Sequence, residues 1–415
     1  MMQIIDKDLS CNFEINHEEK KSIELRKKVN ELYFTYRHTK SFIMEKEDVS
    51  KPFVIRWTRS PKQDFTVDNR GWPKGKFRHY SEDTVDRIYK IYTRLKEDPR
   101  SFYTGATAIV QEWYLDYPEA PVPSLRTVGR IMKELGLTQA RKRRNKGAAA
   151  YLCYPEHTIY SGLAGRVLEA DFVGRKHIHG RTAPINFIGY SFKKEPRLRY
   201  YKRIESQTTK CFIEQTEDFF AKFEKPDYVK VDNALAMIGS ASGKRNISTT
   251  MLFLLNHHVV PIFAVPRKPF SQASIEGNNS VFSRFFWNKH EFSSLEEIDE
   301  NIKWFNKSSI KYTNYKTLEK THNTYKTDFH PEIIFIRQVG DKNESGYINI
   351  LNEQIPISQE YINYFVMARW SLREQKLKVF FERNKESILV NEFPLLINRN
   401  SLKKIQTKGK LSFDL

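Results

Sequence analysis

Three acidic residues stand where an acid needs a reason. Asp171 lies in the apolar-rich run Val167-Leu168-Glu169-Ala170-Asp171-Phe172-Val173. Asp232 ends a second such run, Tyr228-Val229-Lys230-Val231-Asp232-Asn233. Glu276 opens a predicted helix after the proline-containing stretch Val265 to Ile275. Two strand-end carboxylates and one helix carboxylate can converge on a pair of divalent cations. Hard oxygen ligands suit magnesium or manganese. Two such ions about 4 Å apart can stabilise both the attacking and the leaving oxygen of a phosphodiester. With 50 Asp and Glu in the chain, any one acid is weak evidence. The ordered set and its neighbours carry the signal.

The elements that must position these acids alternate. Patterning predicts strands at 167–173, 184–192, 198–205, 228–232 and 259–264, and helices at 206–223, 247–256, 275–289 and 293–308. Composition and order alone say α/β. Strand periodicity puts Glu169 on the side of Asp171, without making it a ligand. On the helix, Glu276, Asn279 and Ser283 share a face, with Arg284 near it. A formal net charge of +19 predicts a polyanionic partner, because lysine and arginine displace the counterions condensed on nucleic acid. Aromatic content of 13% excludes a disordered polycation.

These stretches resemble the DDE superfamily of transposases and retroviral integrases, most closely insertion-sequence transposases with an integrase-type core. Leu168-Glu169-Ala170-Asp171-Phe172 is similar to the family's strand-borne W-x-x-D-F. Val231-Asp232-Asn233-Ala234 is similar to S-D-N-G. Pro266-Arg267-Lys268-Pro269 through Ile275-Glu276-Gly277-Asn278-Asn279 is similar to P-x-x-P followed by N-G-x-x-E-R-x-N. There are departures. Ala234 replaces the usual glycine, Gln272-Ala273 stands near the usual Asn-Gly, and Gly277 replaces the usual arginine. The 44 positions from Asp232 to Glu276 exceed the family's commonest spacing. The motifs cover about 150–310, and the flanks match by layout only.

The resemblance implies a ribonuclease-H-like core over 161–310, with Asp171, Asp232 and Glu276 as both catalytic residues and metal ligands. It implies two Mg2+ ions per site, with Mn2+ able to substitute. Asn233 is a supporting residue that orients Asp232 or a metal-bound water, and Asn279 is a second, facing the DNA end with Arg284. Related enzymes often carry a lysine on this helix face, and none follows here before Lys289. The implied activity is that of a DNA transposase. It would bind terminal inverted repeats, expose 3′-hydroxyl ends and join them to target DNA, as a homo-oligomer on paired ends. A transposase-derived DNA-binding regulator without catalysis, or a structure-selective nuclease on the same fold, are the alternatives.

The flanks read as a multidomain chain. Residues 1–68 form an amino-terminal helical module. Its segment after Ser50-Lys51-Pro52 has a serine cap and an early proline, and carries Arg56 and Arg59 beside apolar residues. A recognition helix and a plain bundle with a basic face both suit it. A Gly/Pro linker, 69–80, includes Arg70 and Lys74. A second helix-turn-helix module covers 81–138. In its last helix Val128, Ile131, Met132 and Leu135 form the buried face, leaving Arg126, Arg130 and Lys133 for DNA. A basic linker at 139–160 contains Arg141, Lys142, Arg143 and Arg144, suited to phosphates. Short strands at 346–351, 354–357, 364–370, 376–382 and 387–390 predict a small β-barrel over 326–400, with a hairpin turn at Asn352-Glu353. A basic, mobile tail at 401–415 is expected last. Three scattered cysteines and no zinc spacing point to a reducing cytoplasm, and the resemblance implies a bacterial one, at the nucleoid. No run is long and apolar enough for a membrane.

Overall fold

The structure, a computed structural model, describes residues 17–66, 80–138, 154–163, 165–194, 196–239, 243–313 and 329–408. The chain divides into two compact units, Met1–Tyr80 and Ser81–Leu415. The units divide after Tyr80, the last residue of the expected 69–80 linker, whose other residues lie outside the described ones.

The first unit is a three-helix bundle of α1 (His17–Phe34), α2 (Lys40–Glu47) and α3 (Lys51–Trp57). Val29, Leu32, Ile43, Val54 and Trp57 close its core. Pro52 opens α3 as its chemistry dictates, while Ser50 holds the cap position without a side-chain cap hydrogen bond. Asn30 fixes the end of α3 by donating to the Trp57 and Ser60 carbonyls at 2.7 and 2.8 Å.

The second unit begins with α4 (Glu82–Glu97), α5 (Ala106–Asp116) and α6 (Leu125–Glu134). Ser81 and Ser124 cap α4 and α6 through their hydroxyls. Val128, Ile131 and Met132 are buried as expected, but Leu135 is exposed, because α6 ends at Glu134 and Leu135 is already its cap. This module does not stand apart from the core. Phe102, in the α4–α5 loop, is buried among Phe286, His290 and Phe305. Tyr103 stacks on Phe305 and accepts from Arg199 at 3.0 Å. Buried Glu112 of α5 accepts from Tyr312 at 2.7 Å and also pairs with Lys311.

The core continues as β1 (Val167–Lys176), β2 (Ile185–Phe192), β3 (Leu198–Ile204), α7 (Thr209–Lys222), β4 (Tyr228–Val231), α8 (Leu235–Ile238), α9 (Thr249–Asn256), β5 (Val260–Phe263), α10 (Ala273–Phe285) and α11 (Leu295–Tyr312). The chain then runs through β6 (Glu332–Gln338), β7 (Gly340–Lys342), β8 (Ser345–Ile350), β9 (Glu353–Ile357), β10 (Phe365–Ser371), β11 (Lys376–Arg383), β12 (Glu386–Pro394) and α12 (Arg399–Lys408). One nine-stranded sheet has the order β12-β11-β10-β6-β5-β4-β1-β2-β3. β1, β2 and β3 pair antiparallel in turn, while β1, β4, β5 and β6 run parallel to one another. This mixed α/β sheet is consistent with the ribonuclease-H-like core expected from the sequence.

The separate carboxyl-terminal barrel is not what forms among the described residues. β6 pairs with β5, and β10, β11 and β12 extend the same sheet antiparallel. β7, β8 and β9 make a three-stranded sheet of their own. The reason lies in Ile333-Ile334-Phe335-Ile336, all four fully buried. A continuous apolar run marks a strand covered on both faces. The β8–β9 turn is centred on Leu351 and Asn352, both at positive φ, one residue earlier than expected. The expected tail also begins as structure: α12 is helical through Lys408, and buried Ser401 accepts from Ile247 N–H at 2.9 Å. No helix of the described residues is long and apolar enough to cross a membrane.

Candidate active site

Parallel pairing sets the first three residues of β1 beside β4, with Glu169 opposite Lys230. Asp232 directly follows β4, but Asp171 is not at the expected strand end: β1 stays paired with β2 beyond the point where β4 stops and continues to Lys176, so Asp171 lies within it opposite Gly189. Glu276 sits in the first turn of α10. Asp171 and Asp232 are partly buried, and Glu276 is exposed.

α10 is held along β1 by its polar face. Asn279 donates to Asp171 Oδ2 at 3.1 Å, and one turn later Ser283 Oγ accepts from Lys176 at 3.2 Å. On the next strand Ser191 meets Ser274 at 3.0 Å and accepts from Asn278 at 2.6 Å. Asn279 also accepts from the Tyr201 hydroxyl at 3.1 Å, so its amide is used up on protein rather than facing outward. The approach needs Gly189, which pairs with Asp171 across β1 and β2. A Cβ there would stand 2.7 Å from the Tyr201 ring and 3.2 Å from Ile275. Gly189→Ala is therefore expected to cost about 1–3 kcal/mol by overpacking. Thermal denaturation would read it as a lowered Tm, and an unchanged Tm would contradict the close approach.

The electrostatics couple the three acids. Burial first, then the charges of Asp232 and Glu276, push the Asp171 carboxyl up to about 7, against hydrogen bonds from the Phe172 backbone and Asn279. Burial raises Asp232 as well, opposed by the Ala234 N–H that donates to its Oδ1 at 3.0 Å. Glu276 is raised by burial, then by Glu169 and Asp232. Each carboxylate is thus harder to ionise because of its surroundings, and a nearby cation would relieve that cost. The donors are all oxygen, which fits magnesium or manganese. Among the described residues no His, Cys, Asp and Glu side chains already stand together as a metal cluster.

The remaining expectations fall unevenly. Asn233 donates to the Ala264 carbonyl at 2.6 Å and accepts from Arg337 at 3.0 Å, tying the loop after β4 to β5 and β6. Its side chain is engaged there rather than on Asp232. Lys289 donates to the Ser101 carbonyl at 2.7 Å, so it braces the α4–α5 loop. Arg284 is exposed near the end of α10. Arg126 and Lys133 are exposed on α6, and Arg130 is partly buried. In the other unit Arg59 is exposed, while Arg56 lies over the Trp57 ring at 5.2 Å. Arg70, Lys74, Arg141, Lys142, Arg143 and Arg144 lie outside the described residues. Three groups escaped the sequence reading. Lys230 and Arg337 are buried cations, and Tyr160 reaches Glu169. A lysine inside an apolar strand was the available signal for the first.

No protein-family model matches the sequence, and no curated protein does. Similar solved structures include the catalytic core domain of BIV integrase, at 9% identity over 33% of this chain and 78% of that one, with a TM-score of 0.25. A chain of the simian T-cell lymphotropic virus intasome in complex with PP2A regulatory subunit B56 gamma shares 11% identity over 71% and 96%, with a TM-score of 0.30. A chain of the mariner Mos1 paired end complex with Mg shares 14% over 70% and 98%, with a TM-score of 0.16. The case for an activity is carried by the coupled acids themselves.

Proposed function

We propose that this chain is a DDE-type transposase. It binds the terminal inverted repeats of its element, hydrolyses a phosphodiester to free a 3′-hydroxyl, and joins that hydroxyl to target DNA. The single observation that carries the reading is the coupling of Asp171 to Asp232 and Glu276, three carboxyls from β1, the β4 loop and α10. A binding protein has no use for three acids, on β1, just after β4 and at the start of α10, each held harder to ionise by its surroundings.

Asp171, Asp232 and Glu276 would hold two Mg2+ ions, or Mn2+ in their place. When bound, such ions supply Lewis acidity to the attacking and leaving oxygens of an in-line displacement. The protein's part is placement. Asn279 holds the Asp171 carboxylate, and Ala234 N–H holds that of Asp232. The Arg337–Asn233 bond fixes the loop between them and β6. Arg126, Arg130 and Lys133 on α6, with Arg56, Arg59 and Arg284, are the proposed DNA contacts. Arg70, Lys74 and the cluster Arg141, Lys142, Arg143 and Arg144 would meet phosphates. A homo-oligomer on paired ends completes the reading.

The test is a strand-transfer assay on DNA carrying the inverted repeats that flank the gene. Joining is expected with Mg2+ or Mn2+. Calcium, with longer bonds and looser geometry, is expected to allow assembly without chemistry. Cleavage without joining would favour the nuclease. End binding with neither activity would favour the regulator. Full activity in chelator would remove the metal mechanism.

A further inference from the structure

A buried charge network adjoins the acids along the chain. Glu169 and Lys230 are 0% and 1% exposed. Glu169 precedes Asp171 by two residues on β1 and so lies on its side of the sheet, and Lys230, opposite Glu169 on β4, precedes Asp232 by two residues. Lys230 Nζ stands 3.5 Å from Glu169 Oε1 and donates to the Tyr154 and Tyr160 hydroxyls at 3.1 and 3.0 Å. It also donates to the Ser271 carbonyl. Tyr160 donates to Glu169 Oε1. Glu169 Oε2 accepts from the backbone N–H of Ile275 at 2.8 Å. Ile275 is the residue before Glu276. The network therefore joins β1, β4, the 154–163 segment, the short 3-10 turn Pro269–Gln272 and the first turn of α10.

Stability alone does not account for it. A buried ion pair is often no better than well-packed apolar residues of similar size, because both charges must be desolvated. What the pair has that apolar packing lacks is direction. A carboxylate accepting from a helix's first-turn N–H fixes both the axial position and the rotation of that helix start. We propose that Glu169 and Lys230, with Tyr160, are positioning residues that lock the start of α10 and thereby set Glu276 against Asp171 and Asp232. They touch neither DNA nor cation. This inference rests on the cation-binding reading of the three acids.

The variants must separate position from stability. Glu169→Leu with Lys230→Met removes both buried charges together, so neither is stranded. Tyr160→Phe removes one hydroxyl and little else. Full-length proteins would be titrated with Mn2+, following the free-ion resonance, beside Mg2+-dependent strand transfer and thermal unfolding. The double variant is expected to keep a wild-type Tm within a few degrees while Mn2+ affinity falls about tenfold to a hundredfold, as for other residues that orient ligands. The Mg2+ midpoint for joining should rise in step, with the rate recovering at high Mg2+. Tyr160→Phe should shift both in the same direction by a smaller factor. A folded double variant with wild-type Mn2+ affinity and Mg2+ midpoint would overturn the proposal. If the double variant did not fold, wild-type values for Tyr160→Phe would overturn it equally. Asp171→Asn is the control: if it too binds Mn2+ like the wild type, the acids are not the cation site, and the functional reading fails before this one.

Discussion

Asp171→Asn, Asp232→Asn and Glu276→Gln should each lower strand transfer by about a thousandfold or more while leaving terminal-repeat binding within a few-fold. Each change keeps the shape of the side chain and removes one charged oxygen ligand. A bound divalent ion supplies several kcal/mol of charge stabilisation in a phosphoryl transition state, and each 1.36 kcal/mol is tenfold in rate. End binding depends instead on cations displacing counterions from phosphates, which these substitutions leave in place. Single-turnover joining and a gel-shift titration on the same DNA measure the two quantities separately. Any one of the three retaining near wild-type joining would remove that residue from the site. Loss of binding in parallel with joining would mean the acids serve the fold.

The second large effect is on stability, and it has the opposite sign. In the metal-free protein Asp171 is held at about 7 instead of 3.8 by burial and by its acidic neighbours. The folded state therefore binds the proton more tightly than the unfolded state. This contribution to stability is fully present below pH 3.8 and is lost as the pH rises through about 7. Asp232 and Glu276 are raised too and add in the same direction. Asp171→Asn cannot ionise, so it escapes that loss. It should match the wild type near pH 4 and exceed it increasingly up to pH 8, by as much as about 4 kcal/mol. Denaturant unfolding in chelator across that range measures the difference. A variant less stable than the wild type at pH 8 would show that Asp171 gains more from Asn279 than it loses to its neighbours. A stabilised but inactive variant is what a site built against its own stability produces.

Much of this protein was legible in its sequence, and the legible part is local. The strand run carrying Asp171, the run ending at Asp232, the serine caps at Ser81 and Ser124, and the polar face Glu276-Asn279-Ser283 each depend on residues within a turn or a strand of one another. Periodicity and capping chemistry operate over those distances, so the elements and the three acids could be read without knowing what packs on them. The tertiary structure alone decided the partners. Ile333-Ile334-Phe335-Ile336 had the composition of a strand, but only its pairing with β5 makes it the continuation of the core sheet and not the edge of a separate barrel. Phe102 and Tyr103 lie in a loop, and only the tertiary structure packs them into the core. Asn279 holds Asp171 across 108 positions of chain, and Arg337 reaches Asn233 across 104. Glu169 and Lys230 are two charges in separate apolar strands, and nothing near either one names the other. A buried charge is tolerated only where a specific partner meets it, and that partner is chosen by the closure of distant segments, which no window of sequence contains.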